Sequence, residues 1–286
     1  MQKSGRLADA SLDVLRQCGL HVSKSKNALY SRIEELPIDV LLVRDDNIPG
    51  FVSDGVCDLG IVGKNVLREV ELRNGPGFEV EVVMPLGFSR CRLAVAVPTQ
   101  SGLSTPSQLD GLRIATSYPA TLKHYLVVEG VRADIVEMTG SVEVAPRIKI
   151  ADAICDLVST GATLEANQLE ELSTVLESEA LLVKRCNGLS DVKRDTAERL
   201  IRRIRGVIRS ASNKYIMMNA PRASVDAIVS VLPGATSPTV MPLAGDGDQV
   251  AIHAVCEEDV FWETMEKLRS VGASAILVLP IEKMLA

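Results

Sequence analysis

The stretch from Ala151 to Leu164 constrains the fold more than any other part of this chain. Ala153 to Val158 is an apolar run of strand length. It passes directly into Ser159-Thr160-Gly161-Ala162-Thr163, and a helix is expected to start at Leu164. A buried strand handing over to a helix through a short loop is the building unit of an α/β protein. An anion favours the same arrangement, because N–H groups at a helix start point outward and the helix dipole attracts negative charge. Ser159, Thr160 and Thr163 add hydroxyl donors, and Gly161 lets the backbone approach closely. Asp156, just before the loop, can accept hydrogen bonds from sugar hydroxyls. The same residues also fit a plain strand-to-helix turn with Thr163 as N-cap.

The rest of the chain repeats the alternation. Leu7 to Cys18 has helical spacing, and Gly19 stops it. Ile38 to Val43 and Leu59 to Gly63 are continuous apolar runs, as in parallel strands buried on both faces. The segment Asp46 to Asp54 between them reads as a short helix, which predicts a βαβ unit. After a break at Arg73 to Gly77, strands are expected at Val80 to Leu86, Cys91 to Val97, Arg113 to Thr116 and Ile135 to Met138. Helices are expected after Thr105 and over Leu122 to Glu129, so this stretch reads as a second α/β lobe. Ala145 to Ile150 reads as a short helix, Leu176 to Val183 as a strand and Glu198 to Arg209 as an amphipathic helix. The tail has strand patterns at Tyr215 to Met218, Val240 to Leu243, Val250 to Val255 and Ala275 to Leu279. Helical spacing lies over Val225 to Leu232 and Phe261 to Leu268, and Ala244 to Asp248 reads as a turn. The order βαββαβ is that of a ferredoxin-like domain.

Composition removes several function classes. The 286 residues suggest about two domains, with three small ones also accommodated. The net charge is −6 and aromatics are 3%, unlike a general nucleic-acid binder or a base-stacking platform. Arg199, Arg202, Arg203, Arg205 and Arg209 fit the solvated face of a packed helix. The six Cys include no CxxC pair and there are three His, which argues against a zinc cluster. The cysteines read as reduced core residues of a cytoplasmic protein. No apolar signal core opens the chain, and the longest apolar stretches fall far short of a membrane span. His124 and His253 have no partner pattern and receive no role.

A set of ordered motifs extends the reading. These are Gln2-Lys3-Ser4-Gly5-Arg6-Leu7, Val43-Arg44-Asp45-Asp46, Asp58-Leu59-Gly60-Ile61-Val62-Gly63, Cys91-Arg92-Leu93, Ala115-Thr116-Ser117-Tyr118-Pro119, Gly140-Ser141-Val142-Glu143-Val144-Ala145-Pro146 and the 151–164 segment. In kind and order they resemble the ATP phosphoribosyltransferase family, whose members open histidine biosynthesis. Lys214-Tyr215-Ile216-Met217-Met218 and Ser237-Pro238-Thr239 are similar to the histidine-sensing domain of its long form. The resemblance covers essentially the whole chain. Relatives usually carry a strand ahead of the first motif, whereas this chain opens on it; the first sheet is accordingly expected to be one strand short.

The resemblance implies an α/β fold with a two-lobe, type II periplasmic-binding-protein-like core and a ferredoxin-like regulatory domain. Lobe I would span 1–87 with 165–211 returning to it, lobe II 88–164, and the regulatory domain 212–286. It implies transfer of phosphoribosyl from phosphoribosyl pyrophosphate to N1 of ATP, with pyrophosphate leaving. Glu143 and Asp156 would be the catalytic acids beside the ribose, their charge favouring an oxocarbenium-like transition state. Asp156, Ser159, Thr160, Gly161, Ala162, Thr163 and Leu164 would bind the sugar donor. Gln2, Lys3, Gly5, Arg6, Arg44, Asp45, Asp58, Arg92 and Tyr118 would bind ATP. Asn219, Thr239 and Ala273 would contact inhibitory histidine. The resemblance further implies Mg²⁺ as cofactor, AMP as a second inhibitor and a homohexamer built from dimers, with no nucleic-acid or membrane partner. The alternatives are a phosphoribosyltransferase acting on a free nucleobase and a non-catalytic ligand-binding or regulatory subunit.

Overall fold

The structure, a computed structural model, describes residues 1–23, 29–186, 189–232, 238–245, 247–257 and 261–284. Ser237 of the tail motif and Asp246 of the expected turn lie outside the described residues. The chain divides into two compact units, Met1–Asp13 with His21–Ala197 and Val14–Leu20 with Glu198–Ala286.

The first unit opens with α1 (Arg6–Gln17), whose later turns belong to the second unit. A hairpin follows, β1 (Tyr30–Ile33) and β2 (Ile38–Leu41), then α2 (Ile48–Ser53), β3 (Leu59–Gly63) and α3 (Lys64–Asn74). Next come β4 (Val80–Pro85), β5 (Cys91–Pro98), β6 (Arg113–Thr116), α4 (Pro119–Glu129) and β7 (Asp134–Glu137). The unit continues through β8 (Ala153–Val158), α5 (Ala162–Ala166), β9 (Leu169–Ser178) and β10 (Ala180–Arg185) into α6 (Asp191–Ala211), which ends in the second unit.

Two sheets carry the first unit. One has the order β3-β10-β4, the other β7-β6-β8-β5-β9. The larger sheet is mixed: β6 runs parallel to β7 and β8, and β5 antiparallel to β8 and β9. Its inner strand β5 is fully buried from Leu93 to Val97, packed by helices and loops on both sides. In the smaller sheet, α2 lies on β3 so closely that a Cβ at Gly60 would meet Ile48, Val52 and Val183 at 2.9, 3.0 and 3.1 Å. Only glycine fits that contact.

The expected parallel βαβ unit is not formed. Ile38–Leu41 pairs antiparallel with Tyr30–Ile33, and Leu59–Gly63 pairs antiparallel with Ala180–Arg185. A continuous apolar run reports burial on two faces, and β3 has that without a parallel neighbour. The expected strand Leu176 to Val183 is two strands parted at Glu179. Ala145 to Ile150 is turn rather than helix, following a 3₁₀ turn at Val142–Val144. The cysteines are free, but Cys186 is exposed, and Cys57 and Cys91 are half-buried, so not all are core residues.

Two short crossovers join the sheets. Leu86 to Arg90 links β4 to β5, and Glu179 links β9 to β10. They run side by side: Leu86 N–H donates to Ala180 O at 2.9 Å and Ala180 N–H to Phe88 O at 3.0 Å. The Glu179 carboxylate accepts the Gly87 N–H at 3.0 Å.

The second unit contains β11 (Asn213–Pro221), α7 (Val225–Val231), β12 (Thr239–Pro242), β13 (Gln249–Glu257), α8 (Phe261–Ser270) and β14 (Ser274–Pro280). The sheet order is β12-β13-β11-β14 with every neighbour antiparallel. This is the ferredoxin-like arrangement the tail pattern predicts. Ile216, Met218, Val250, Ile252, Ile228 and Leu268 form its core.

Candidate active site

β8 delivers the central loop. At its end Val158 packs inward, Asp156 is half-buried and Leu157 is exposed. Gly161 turns the chain with φ +84°, a conformation L side chains rarely adopt, and it is the N-cap of α5. The cap is thus Gly161 and not Thr163. Leu164 anchors the short helix in the core. The first-turn N–H groups have no partner within the helix.

A cavity of about 310 Å³ opens over this loop, within the first unit. All of Ser159, Thr160, Gly161, Ala162, Thr163 and Leu164 line it, as do Asp156 and Glu143. Of the nine residues assigned to ATP, Gln2, Arg6 and Asp45 line it too. Arg6 reaches the loop itself, donating to the Ser159 hydroxyl at 3.4 Å.

The other ATP candidates sit outside the lining and have partners of their own or lie exposed. Lys3 is exposed, and its N–H donates to Val43 O at 2.9 Å. Gly5 is exposed with φ +97°. Arg44 pairs with Asp46 at 2.8 Å, and Asp58 with Lys193 at 3.1 Å. Arg92 donates from Nε to both oxygens of Glu171, at 2.9 and 2.8 Å. Tyr118 precedes α4, and its hydroxyl accepts from the Asn65 amide at 2.9 Å. Burial pushes the Tyr118 phenol well above its ordinary range.

Asp156 is the electrostatically unusual acid. Burial raises its carboxyl above the usual carboxylate range. The Leu157 N–H, donating to it at 2.8 Å, opposes that rise, and the nearby Glu143 charge adds to it. Two carboxylates beside one cavity suit a reaction that builds positive charge on a sugar.

Sequence reasoning missed Asn65, Ser89, Arg90 and Cys91 as cavity residues. Asn65 is buried, and Ser178 Oγ both accepts its N–H at 3.0 Å and donates to its Oδ1 at 2.9 Å. Nothing local marks it, since its partners lie far along the chain. Arg90 had a usable signal: it ends Gly87-Phe88-Ser89, a loop between two strand runs.

In the second unit, Asn219 and Thr239 lie on the sheet face opposite the helices. Thr239 pairs with His253, and Asn219 with Ser274. Ala273 is buried in the core with Ile228 and Leu268, which leaves only its backbone for a ligand. On the same open face, the Tyr215 hydroxyl and His253 Nδ1 hydrogen-bond at 2.6 Å. Among the described residues no helix is long and apolar enough to cross a membrane.

Comparison with known proteins places this geometry. The family model described as ATP phosphoribosyltransferase matches residues 44–206, and the model of that family's C-terminal domain matches 211–283. An ATP phosphoribosyltransferase of Maricaulis maris is 53% identical over all 286 residues and 97% of its own length. Among solved structures, one titled as the ATP phosphoribosyl transferase (HisG:HisZ) complex of Thermotoga maritima aligns with 25% identity and a TM-score of 0.58. It covers 71% of this chain and 96% of that one.

Proposed function

The chain belongs to the ATP phosphoribosyltransferase family, and we propose how its residues carry the reaction of that family. The enzyme transfers the phosphoribosyl group of phosphoribosyl pyrophosphate to N1 of ATP, releasing pyrophosphate in the first step of histidine biosynthesis. The bond from the anomeric carbon to the pyrophosphate oxygen breaks with its electron pair going to pyrophosphate. The adenine N1 lone pair forms the new bond.

The loop Ser159 to Leu164 holds the donor's 5′-phosphate through N–H groups and hydroxyls. The Gly161 turn beneath the cavity is the observation that carries this assignment. Asp156 and Glu143 bind the ribose hydroxyls and favour the cationic ring. Gln2, Arg6 and Asp45 contact the nucleotide or the departing pyrophosphate. Lys3, Gly5, Arg44, Asp58, Arg92 and Tyr118 remain candidates for ATP only through side-chain movement or through the backbone.

Mg²⁺ fits this wall. Asp45, Glu143 and Asp156 offer the oxygen donors it prefers, and among the described residues no group of three or more ligands forms a dedicated cage. The ion would be held mainly by substrate phosphates, with these acids nearby, and would neutralise charge on the pyrophosphate.

Histidine is a feedback inhibitor bound on the tail domain near Asn219, Thr239 and the Ala273 backbone, and AMP competes at the nucleotide site. The working form is a cytoplasmic homohexamer of dimers. The full-length likeness to an ATP phosphoribosyltransferase disfavours both a free-nucleobase transferase and a non-catalytic subunit.

The deciding experiment mixes the purified chain with ATP, Mg²⁺ and phosphoribosyl pyrophosphate, with and without histidine. The ultraviolet change of N1-substituted adenine is expected, and histidine is expected to suppress it. No change in absorbance would refute the reading.

A further inference from the structure

We propose that Arg90 binds the 5′-phosphate of the sugar donor, completing the loop from the crossover side. This rests on the reading of the 159–164 loop as the phosphate site and adds a charged ligand to it.

The loop itself contains no cation. Its six residues offer N–H groups and three hydroxyls, while a phosphate monoester brings nearly two negative charges at neutral pH. The other acidic side chains on the cavity wall, Asp45, Glu143 and Asp156, repel such an anion. Among the described residues, Arg6 and Arg90 are the cations that line the cavity. Arg6 spends a donor on Ser159, at a long 3.4 Å. Arg90 is exposed and pairs with no acid among the described residues.

The backbone puts Arg90 beside the loop. Arg92 pairs with Val158 in the antiparallel ladder of β5 and β8. Arg90 lies two residues before Arg92 and Thr160 two after Val158, and both line the cavity. The segment before it is held in place. Gly87 N–H is bound by the Glu179 carboxylate, Phe88 O by Ala180 N–H, and Cys91 pairs with Ser178. Ser89 adopts φ +54°, a left-handed conformation unusual for a residue with a side chain. A pinned backbone leaves the guanidinium as the mobile part, and its fork matches phosphate oxygens bidentately.

The test uses the full-length protein and two probes, ribose 5-phosphate and inorganic pyrophosphate, measured by calorimetry. Arg90→Gln is expected to weaken ribose 5-phosphate binding about 10- to 100-fold, on the scale of a charge-assisted bidentate contact. Arg90→Lys should fall between wild type and Arg90→Gln, and pyrophosphate affinity should hold within about twofold. Equal ribose 5-phosphate affinity in wild type and Arg90→Gln overturns the proposal. So does a loss confined to pyrophosphate, which would move Arg90 to the leaving group. Thr160→Ala with Thr163→Ala serves as the control. If that pair leaves ribose 5-phosphate binding intact, the loop reading itself fails, independently of Arg90.

Discussion

Glu69 holds Thr121 by two hydrogen bonds, from the backbone N–H at 2.8 Å and the hydroxyl at 2.7 Å. The same carboxylate takes the Ala120 N–H at 2.9 Å and Arg73 Nε at 2.8 Å. The start of α4 is thus capped by an acid from α3. Glu69 is 6% exposed and Thr121 is buried with it, so the Thr121 groups lose their acceptor without gaining water when it is removed, whereas Arg73 keeps Glu137. Glu69→Ala should therefore destabilise the protein by roughly 3 kcal/mol, the scale for breaking a buried charge cluster. Glu69→Gln should cost less. Thermal unfolding of both variants measures this.

Thr160→Ala with Thr163→Ala removes two hydroxyls from the loop while leaving Gly161 and the fold intact. Binding of phosphoribosyl pyrophosphate should weaken by about 2–4 kcal/mol, the scale of two hydrogen bonds to a charged group. Equilibrium titration with the donor gives the number directly. Affinity equal to wild type would make the loop purely structural.

Asp156 predicts a pH dependence with a definite sign. Its carboxyl is raised in the folded state, first by burial and further by Glu143. A raised acid costs nothing below its unfolded pKa, and stability is lost as pH rises through the folded value. Asp156→Asn should therefore be more stable than wild type at neutral pH and no different in acid. With Asp156 acting in its ionised form as proposed, kcat should fall on acidification above the pH where an ordinary Asp titrates. Glu143→Gln should move that acid limb of the residual rate to lower pH. A limb that stays in place would dissociate the two acids.

The cysteines should label in a fixed order. Cys186 is exposed and should react first with a thiol reagent at pH 8. Burial pushes the Cys18 thiol up to about 11, beyond the opposing pull of Arg203 and Lys283. Cys155 is raised further by the same cause. Both should stay unmodified until the protein unfolds, because the thiolate is the reactive form. Mass spectrometry of the partly labelled protein checks the order.

The sequence carried some of this well. The tail's spacing of apolar residues is enough to define βαββαβ, since each strand pairs within the same short domain. The loop after Val158 was equally readable, because its strand, turn and helix are contiguous. What failed was pairing across distance. β3 finds β10 more than a hundred residues later, and no feature of Leu59 to Gly63 names that partner. Tyr30 to Ile33 was missed because only alternate positions are buried and the run is short. The site shows the same division. Asp156 and Ser159 to Leu164 line the cavity together because they are neighbours in the chain. Asn65 reaches the cavity from α3 and Arg90 from the crossover before β5. Arg92 and Asp58 looked available because Glu171 and Lys193, their partners, stand far off in sequence.

Glu179 alone separates β9 from β10, and its neighbour thread from Leu86 to Phe88 is laced to it. Two sheets suspended on so narrow a ribbon have few torsions to spend. Any swing between them has to turn on the torsions of that ribbon. Stiffening a single peptide there would therefore restrict that swing without touching a group that meets the substrates.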